Sequence, residues 1–329
     1  MDLTSARSLK GEIRLRLSSL LVQPQVVSKL GVAARRMEGI TIPRSIAVGI
    51  SAVNGDFKIA VRLQHPQGSL NELLDEVNRL AGAETEIRYV GSVAKLQTPQ
   101  QGVVRPLRIG CSIGQYQITA GTLGAFVKSR SGVGGPMILS NNHVLADENR
   151  AKIGDPILQP GAYDHGTIPA DVVGHLVNFE PLNTSRPNLV DCAVADLVPG
   201  IGIVSNTIDG IGPLHGVASA NVQPDDQVAK TGRTTGTTRA KVTAVELDSV
   251  VVNYDIGTIQ FDGQIEVDGM DATGFSQGGD SGSLVVNSNG EAIGLLFAGS
   301  ETGGTNNFGL TYINPIQPVL DALNCDLLV

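Results

Sequence analysis

The chain has only three cysteines in 329 residues, no tryptophan, no excess of basic residues and no long apolar run. Cys111, Cys192 and Cys325 are odd in number and far apart, which argues against a disulfide framework and against a Cys-x-x-Cys metal site. A reducing cytoplasm is the compartment they point to. Lys and Arg number 24 against 32 Asp and Glu, a formal charge of −8. Binding to nucleic acid or to an anionic membrane leans on clustered cations, so neither partner is expected. No stretch of about 18 apolar residues is present to span a bilayer as a helix. The opening residues, Met1-Asp2-Leu3-Thr4-Ser5-Ala6-Arg7, lead into mixed charge without the apolar run or small-residue cleavage site of a secretion signal, and a cytoplasmic protein is expected.

Glycine is abundant, at 40 residues, alongside 16 prolines, with 41% hydrophobic and 17% charged residues. That composition suits a globular chain of many turns and short strands, long enough for two or three packed units. Residues 1–95 read as a small α/β domain. A helix is expected over Gln23 to Met37, then strands at Ser45 to Ala52 and Phe57 to Gln64 joined through the hairpin dipeptide Asn54-Gly55. Ser69-Leu70-Asn71-Glu72 has the form of a capping box opening a helix to about Leu80, with a last strand at Glu86 to Val90. Arg7, Lys10, Arg14 and Arg16 read as one solvated face. Residues 96–106 form a polar, proline-bearing linker. From 107 to 329, short β-rich runs alternate with Gly, Asn, Asp and Pro turns, a spacing that favours barrels or a sandwich over βαβ repeats. There is room for two small barrels and a terminal helix at Ile316 to Leu323.

A serine hydroxyl is a poor nucleophile at neutral pH. It needs an imidazole to take its proton, a carboxylate to hold that imidazole, and donors for the oxyanion. One candidate stands out for each role. Gly278-Gly279-Asp280-Ser281-Gly282-Ser283 sets glycines on both sides of Ser281, permitting a tight turn that aims the N–H groups of Gly279 and Ser281 at one oxygen. His143 ends an apolar run in Ile138-Leu139-Ser140-Asn141-Asn142-His143, and Asp191 immediately precedes the apolar Cys192-Ala193-Val194-Ala195. Asp196 is the fallback orienter. His65, His165, His175 and His215 read as surface or structural histidines, and Cys192 as a small buried hydrophobe. Asp268-Gly269-Met270-Asp271 reads as a turn rather than a calcium loop, because further oxygen ligands are missing. No metal or organic cofactor is expected.

These segments resemble the His, Asp and Ser motifs of the trypsin-like, chymotrypsin-fold serine peptidases, in that family's chain order. Forty-eight residues separate His143 from Asp191 and ninety separate Asp191 from Ser281, matching a layout with His and Asp in the first barrel and Ser in the second. The resemblance covers roughly residues 105 to 325. It implies a mainly β, chymotrypsin-like double β-barrel preceded by the small α/β domain, and a serine endopeptidase acting on protein or peptide substrates. By the same carry-over Ser281 is the nucleophile, His143 the base and then acid, Asp191 the orienter, and Gly279 and Ser281 the oxyanion hole. Val228-Ala229-Lys230-Thr231-Gly232-Arg233-Thr234-Thr235-Gly236 is similar to the segment of bacterial secreted relatives in which a basic residue pairs with the acid before the nucleophile. Either Lys230 or Arg233 is thereby expected to hold Asp280, forming the oxyanion hole without an activating cut. The wider pattern resembles an intracellular branch that includes the narrow-leaf-type serine proteases of plants, which leaves a homo-oligomer open.

The family's substrate pocket falls on Phe275 and Ser276 as base, Phe297, Ala298 and Gly299 as one wall, and Gly309 as another. No Asp stands at that base, so an apolar P1 side chain of small or medium size is expected rather than Arg or Lys. Two other readings stay open. One is a catalytically silent peptidase-fold scaffold that binds a partner or builds an oligomer; the other keeps the enzyme and makes residues 1–95 a removable prosegment.

Overall fold

Burial along the strand Gly236–Leu247 has a period of two: Thr238, Ala240 and Val242 are buried, while Arg239, Lys241 and Thr243 between them are exposed. Successive side chains of a strand point to opposite faces, so this pattern makes one wall of a barrel with a wet exterior. The computed structural model describes residues 1–21, 35–37, 40–42, 46–53, 56–63, 71–82, 84–89, 98–270, 274–300, 302–305 and 307–329. The chain divides into two compact units, Met1–Leu96 and Gln97–Val329.

The first unit is α/β. Its helix Leu3–Leu21 was not foreseen; it starts where the Asp2 carboxylate accepts the N–H groups of Thr4 and Ser5, both at 2.9 Å, and it buries Ala6, Ile13 and Leu17 along one face. The helix expected over 23–37 lies mostly outside the described residues, and its end, Arg35–Met37, is instead a strand paired with Ile40–Ile42. Strands Ile46–Val53 and Asp56–Leu63 pair antiparallel, and their turn at 54–55 lies outside the described residues. The helix Asn71–Leu80 then carries the chain over to Thr85–Tyr89, which pairs parallel with Asp56–Leu63. Ser69 and Leu70 of the expected capping box are also outside the described residues. Ile13, Leu17, Ile59, Val61, Leu74 and Val77 form the core of this unit.

The second unit is mainly β and holds two barrel-like bodies. One is an open half-barrel, an eight-stranded sheet in the order Cys325–Leu327, Ala125–Ser129, Met137–Ser140, Ala193–Ala195, Val172–Phe179, Pro156–Leu158, Ser112–Gln115, Gly121–Thr122. The other closes fully through Gln227–Gly232, Gly236–Leu247, Gln264–Gly269, Leu310–Pro315, Ala292–Gly299 and Leu284–Asn287. At the seam, strand residues are divided between two cores: Leu284, Val286 and Leu295 join the first, while Val285, Ile293 and Leu296 join the second. Burial on both faces is why these strands read as unbroken apolar runs. The helix Ile316–Ala322 packs Ile316, Val319 and Leu320 into the first core, and Cys325–Leu327 closes the chain against Ala125–Ser129. The fold is a double β-barrel in which only the second barrel is hydrogen-bonded all the way round.

Candidate active site

The register of the first barrel brings His143 and Asp191 to the same end of it. Ser140 lies opposite Ala193, and just beyond that pair the chain turns into the short helix Asn142–Leu145 on one side and Val190–Asp191 on the other. Asn141 Nδ2 donates to the Asp191 carbonyl at 2.7 Å, tying the segments together. His143 donates its backbone N–H to Asp191 Oδ1 at 3.3 Å, and its Nδ1 lies 2.5 Å from Asp191 Oδ2. A carboxylate on Nδ1 holds the proton there and leaves Nε2 free to accept one. The Asp191 side chain is fully buried, whereas that of His143 is 21% exposed. Burial works against a charge on His143, but the Asp191 charge and hydrogen bond outweigh it and raise the imidazole pKa.

Asp191 is held from the second barrel as well. Its N–H donates to Asn314 Oδ1 at 2.9 Å, and Asn314 in turn donates to Gln264 Oε1 at 2.7 Å. Tyr254 Oη donates to Asp191 Oδ2 at 2.7 Å. Neither Asn314 nor Tyr254 was singled out from the sequence, because each reaches Asp191 through tertiary packing rather than through a local motif.

The Ser281 loop is shaped by close approaches that only glycine allows. Gly279 and Gly282 have φ of +97° and +93°, and a β-carbon on Gly282 would stand 2.2 Å from Ser140 Oγ and 2.3 Å from the Thr122 carbonyl. Thr122 donates its N–H to the Ser281 carbonyl at 2.8 Å and its hydroxyl to the Gly279 carbonyl at 2.9 Å. A β-carbon on Gly121 would lie 2.4 Å from Val144 Cγ2 and 3.0 Å from the Ser281 carbonyl, so Gly121 is the thin spacer between the His143 helix and the Ser281 loop. Among the described residues, neither Ser281 Oγ nor the N–H groups of Gly279 and Ser281 take part in a hydrogen bond. The N–H of Asp280, by contrast, is engaged by the Gln277 carbonyl at 3.0 Å.

Asp280 sits in a cage. Its Oδ1 accepts the N–H groups of Thr234 and Thr235 at 2.8 and 3.1 Å, and its Oδ2 accepts Thr235 Oγ1 and the Gln277 N–H at 2.7 and 3.0 Å. Lys230 Nζ lies 3.3 Å from Asp280 Oδ2, with both side chains fully buried. Burial lowers the Lys230 pKa, and the Asp280 charge and hydrogen bond only partly restore it. Arg233 goes elsewhere, with two 2.5 Å bonds to the Asp164 carboxylate, which also accepts Ser112 Oγ at 2.6 Å. Of the two cations left open by the sequence, Lys230 is the one beside Asp280.

The pocket segments divide. The rings of Phe275 and Phe297 are buried, the first in the second-barrel core and the second against Phe261 at 4.7 Å between centroids. Ser276 Oγ pairs with Thr311 Oγ1 at 2.7 Å, and Gly299, the most exposed of these residues, lies beside it. Ala298 is half-buried, and Gly309 is buried with φ of +87°. Asp196 engages the backbone and ring of His175, not His143. Asp268 is engaged by the N–H and hydroxyl of Thr305, and Asp271 lies outside the described residues. Among the described residues no cluster of three His, Cys, Asp or Glu side chains is arranged to hold a metal ion.

Residues 121–295, more than half of the chain, match the family of the trypsin-like peptidase domain. The chain belongs to this family. Solved structures similar to it include protease A of Thermobifida fusca, at 18% identity over 68% of this chain and 100% of that one, with a TM-score of 0.46. The chymotrypsin of Cellulomonas bogoriensis is similar at 18% identity over 68% and 99%, with a TM-score of 0.45. A glutamic acid-specific serine protease is similar at 19% identity over 68% and 100%, with a TM-score of 0.48. No curated protein matches the chain. The closed barrel beside the open half-barrel, together with membership of this family, makes the fold the chymotrypsin-like double β-barrel, and the family supports proteins or peptides as substrates. Among the described residues no helix is long and apolar enough to cross a membrane.

Proposed function

We propose that this trypsin-like peptidase is a serine endopeptidase that works through an acyl-enzyme on Ser281. The observation that carries the reading is the buried Asp191 carboxylate bonded to His143 Nδ1 on the far side of Gly121 from the Ser281 loop. His143 Nε2 takes the Ser281 proton as Oγ attacks the substrate carbonyl carbon. The resulting oxyanion settles on the unused N–H groups of Gly279 and Ser281. Collapse breaks the C–N bond, and the leaving amine takes the proton from His143. Water then attacks the ester by the same route, releasing the acid and restoring Ser281. Asp280, caged by Lys230 and the Thr234-Thr235 turn, holds the loop in shape, so no activating cut is needed.

The uncharged Ser276–Thr311 pair supports a P1 preference for small or medium apolar side chains over Arg and Lys. Three unpaired, buried cysteines support a cytoplasmic setting. The chemistry draws on no metal or organic cofactor. The scaffold reading has no comparable support, since a binding surface has no need of a buried carboxylate aligned on an imidazole. Cleavage of a peptide library by the intact protein is the test. Ser281→Ala should lower turnover by ~10⁴ to 10⁶-fold and abolish labelling by a serine-directed phosphonate, with folding unchanged. Equal cleavage by wild type and Ser281→Ala would overturn the proposal.

A further inference from the structure

Between the second-barrel strands Gly236–Leu247 and Gln264–Gly269 the chain makes an excursion, a hairpin of Val250–Tyr254 and Gly257–Phe261 that stands apart from the barrel wall. The hairpin is fastened to both segments that carry the His143–Asp191 pair. At its tip, Ile256 donates its N–H to Glu148 Oε2 at 3.0 Å, and Arg150 reaches Asp255 at 3.2 Å, so the tip is tied to the loop after His143. At its base, Asn188 donates its N–H to the Gln260 carbonyl at 2.9 Å and accepts that of Asp262 at 2.9 Å, three residues before Asp191. Val250, Ile259 and Phe261 pack with Leu182 and Phe297 beneath it. Tyr254 lies between these anchors. Its hydroxyl donates to Asp191 Oδ2, the oxygen that also faces His143 Nδ1, and its ring stands edge-on to the imidazole at 5.7 Å and 71°.

We infer that Tyr254 is a positioning residue of the triad, whose hydroxyl shares Asp191 Oδ2 with His143 Nδ1 and thereby sets both the orientation and the basicity of the imidazole. The inference rests on the peptidase reading for its kinetic consequences, but not for its geometry. A buried carboxylate oxygen carries more than one lone pair, and one left without a donor is costly. With the tyrosine proton on it, part of the Asp191 charge is taken up there and less acts on His143. The hydroxyl remains a donor at neutral pH, because burial, followed by the Asp191 charge, pushes its own pKa well above the usual tyrosine value. The titratable groups facing the imidazole are Asp191, Tyr254 and, from the loop after its own helix, Glu148, which is engaged by the Ile256 N–H and lies 4.0 Å from Arg150.

Tyr254→Phe in the full chain keeps the ring packing and removes only the hydroxyl. The imidazole should then feel the whole Asp191 charge: the acid limb of the kcat/KM profile should move to higher pH, and kcat should fall about tenfold with KM little changed. A purely structural tyrosine would lower stability without moving that limb. A second measurement needs no turnover: in a Ser281→Ala background, NMR titration of His143 should give a higher pKa when Tyr254→Phe is added. An unmoved imidazole titration would overturn the inference even in an active enzyme. A moved titration in a protein without Ser281-dependent cleavage would uphold it while the peptidase reading failed.

Discussion

Folding and catalysis make opposite demands on the protonation of His143. The raised imidazole pKa means that the folded protein binds the His143 proton more tightly than the unfolded chain does. This contribution to stability is full below the unfolded value and is lost as pH rises through the folded one. As the proposed base, His143 must be neutral to act, so activity should appear over the range in which that stability is lost. The acid limb of kcat/KM is expected above the ordinary 6.5 of histidine, and a limb at or below that value would show that Asp191 does not act on His143 as the geometry indicates. Lys230 is a second residue with a defined cost. Lys230→Met leaves Asp280 as a buried charge with no cation beside it, which should cost about 3 to 5 kcal/mol in urea unfolding and lower kcat as the Ser281 loop loses its anchor. Wild-type stability in that variant would mean that the Thr234, Thr235 and Gln277 donors hold Asp280 unaided. Residues of this kind differed in how visible they were beforehand. Ser281, His143 and Asp191 sit in short motifs whose spacing is read directly, whereas Tyr254 is an ordinary strand aromatic until the hairpin docks it on Asp191.

Elements were legible where their periodicity was undisturbed and obscure where tertiary packing overrode it. The hairpin strands Ile46–Val53 and Asp56–Leu63 and the terminal helix Ile316–Ala322 fall within a residue or so of the segments their patterns suggest. The helix Leu3–Leu21 was hidden because, among its described side chains, the buried ones are Ala6, Ile13 and Leu17, set among residues that read simply as charged. In the pocket segments, Phe275 in the bend after Gly274 and Phe297 on the strand Ala292–Gly299 both place their rings in apolar clusters, a tertiary detail that the motifs alone do not carry. The short strand Gly121–Thr122 offers the sharpest element-level test. Gly121→Ala adds one methyl group that would stand 2.4 Å from Val144 Cγ2 and 3.0 Å from the Ser281 carbonyl, and overpacking of this kind typically costs about 1 to 3 kcal/mol. The strain should part the His143 helix from the Ser281 loop, so kcat should drop by more than the loss of stability alone implies. If kcat and the thermal midpoint are both unchanged, Gly121 is not the spacer between nucleophile and base.

At the scale of the whole molecule, every described hydrogen-bond partner of His143, Asp191, Asp280 and the Ser281 loop comes from residues 97–329. Both barrels and the terminal helix that supports the first core belong to the same unit. Residues 1–96 have a core of their own, built on Ile13, Leu17, Ile59, Val61, Leu74 and Val77, as a separately folding domain would. A chain comprising only 97–329 should therefore fold and cleave peptides in a Ser281-dependent way, with kcat/KM within a few-fold of the full protein. Comparing the two on the same peptide decides what the first unit does. A large rise on truncation would make it an inhibitory prosegment, and an insoluble or inactive product would make it part of the folded enzyme. Equal rates would assign it to something other than catalysis, such as assembly or partner choice, and sedimentation of the full and shortened chains would then separate those roles.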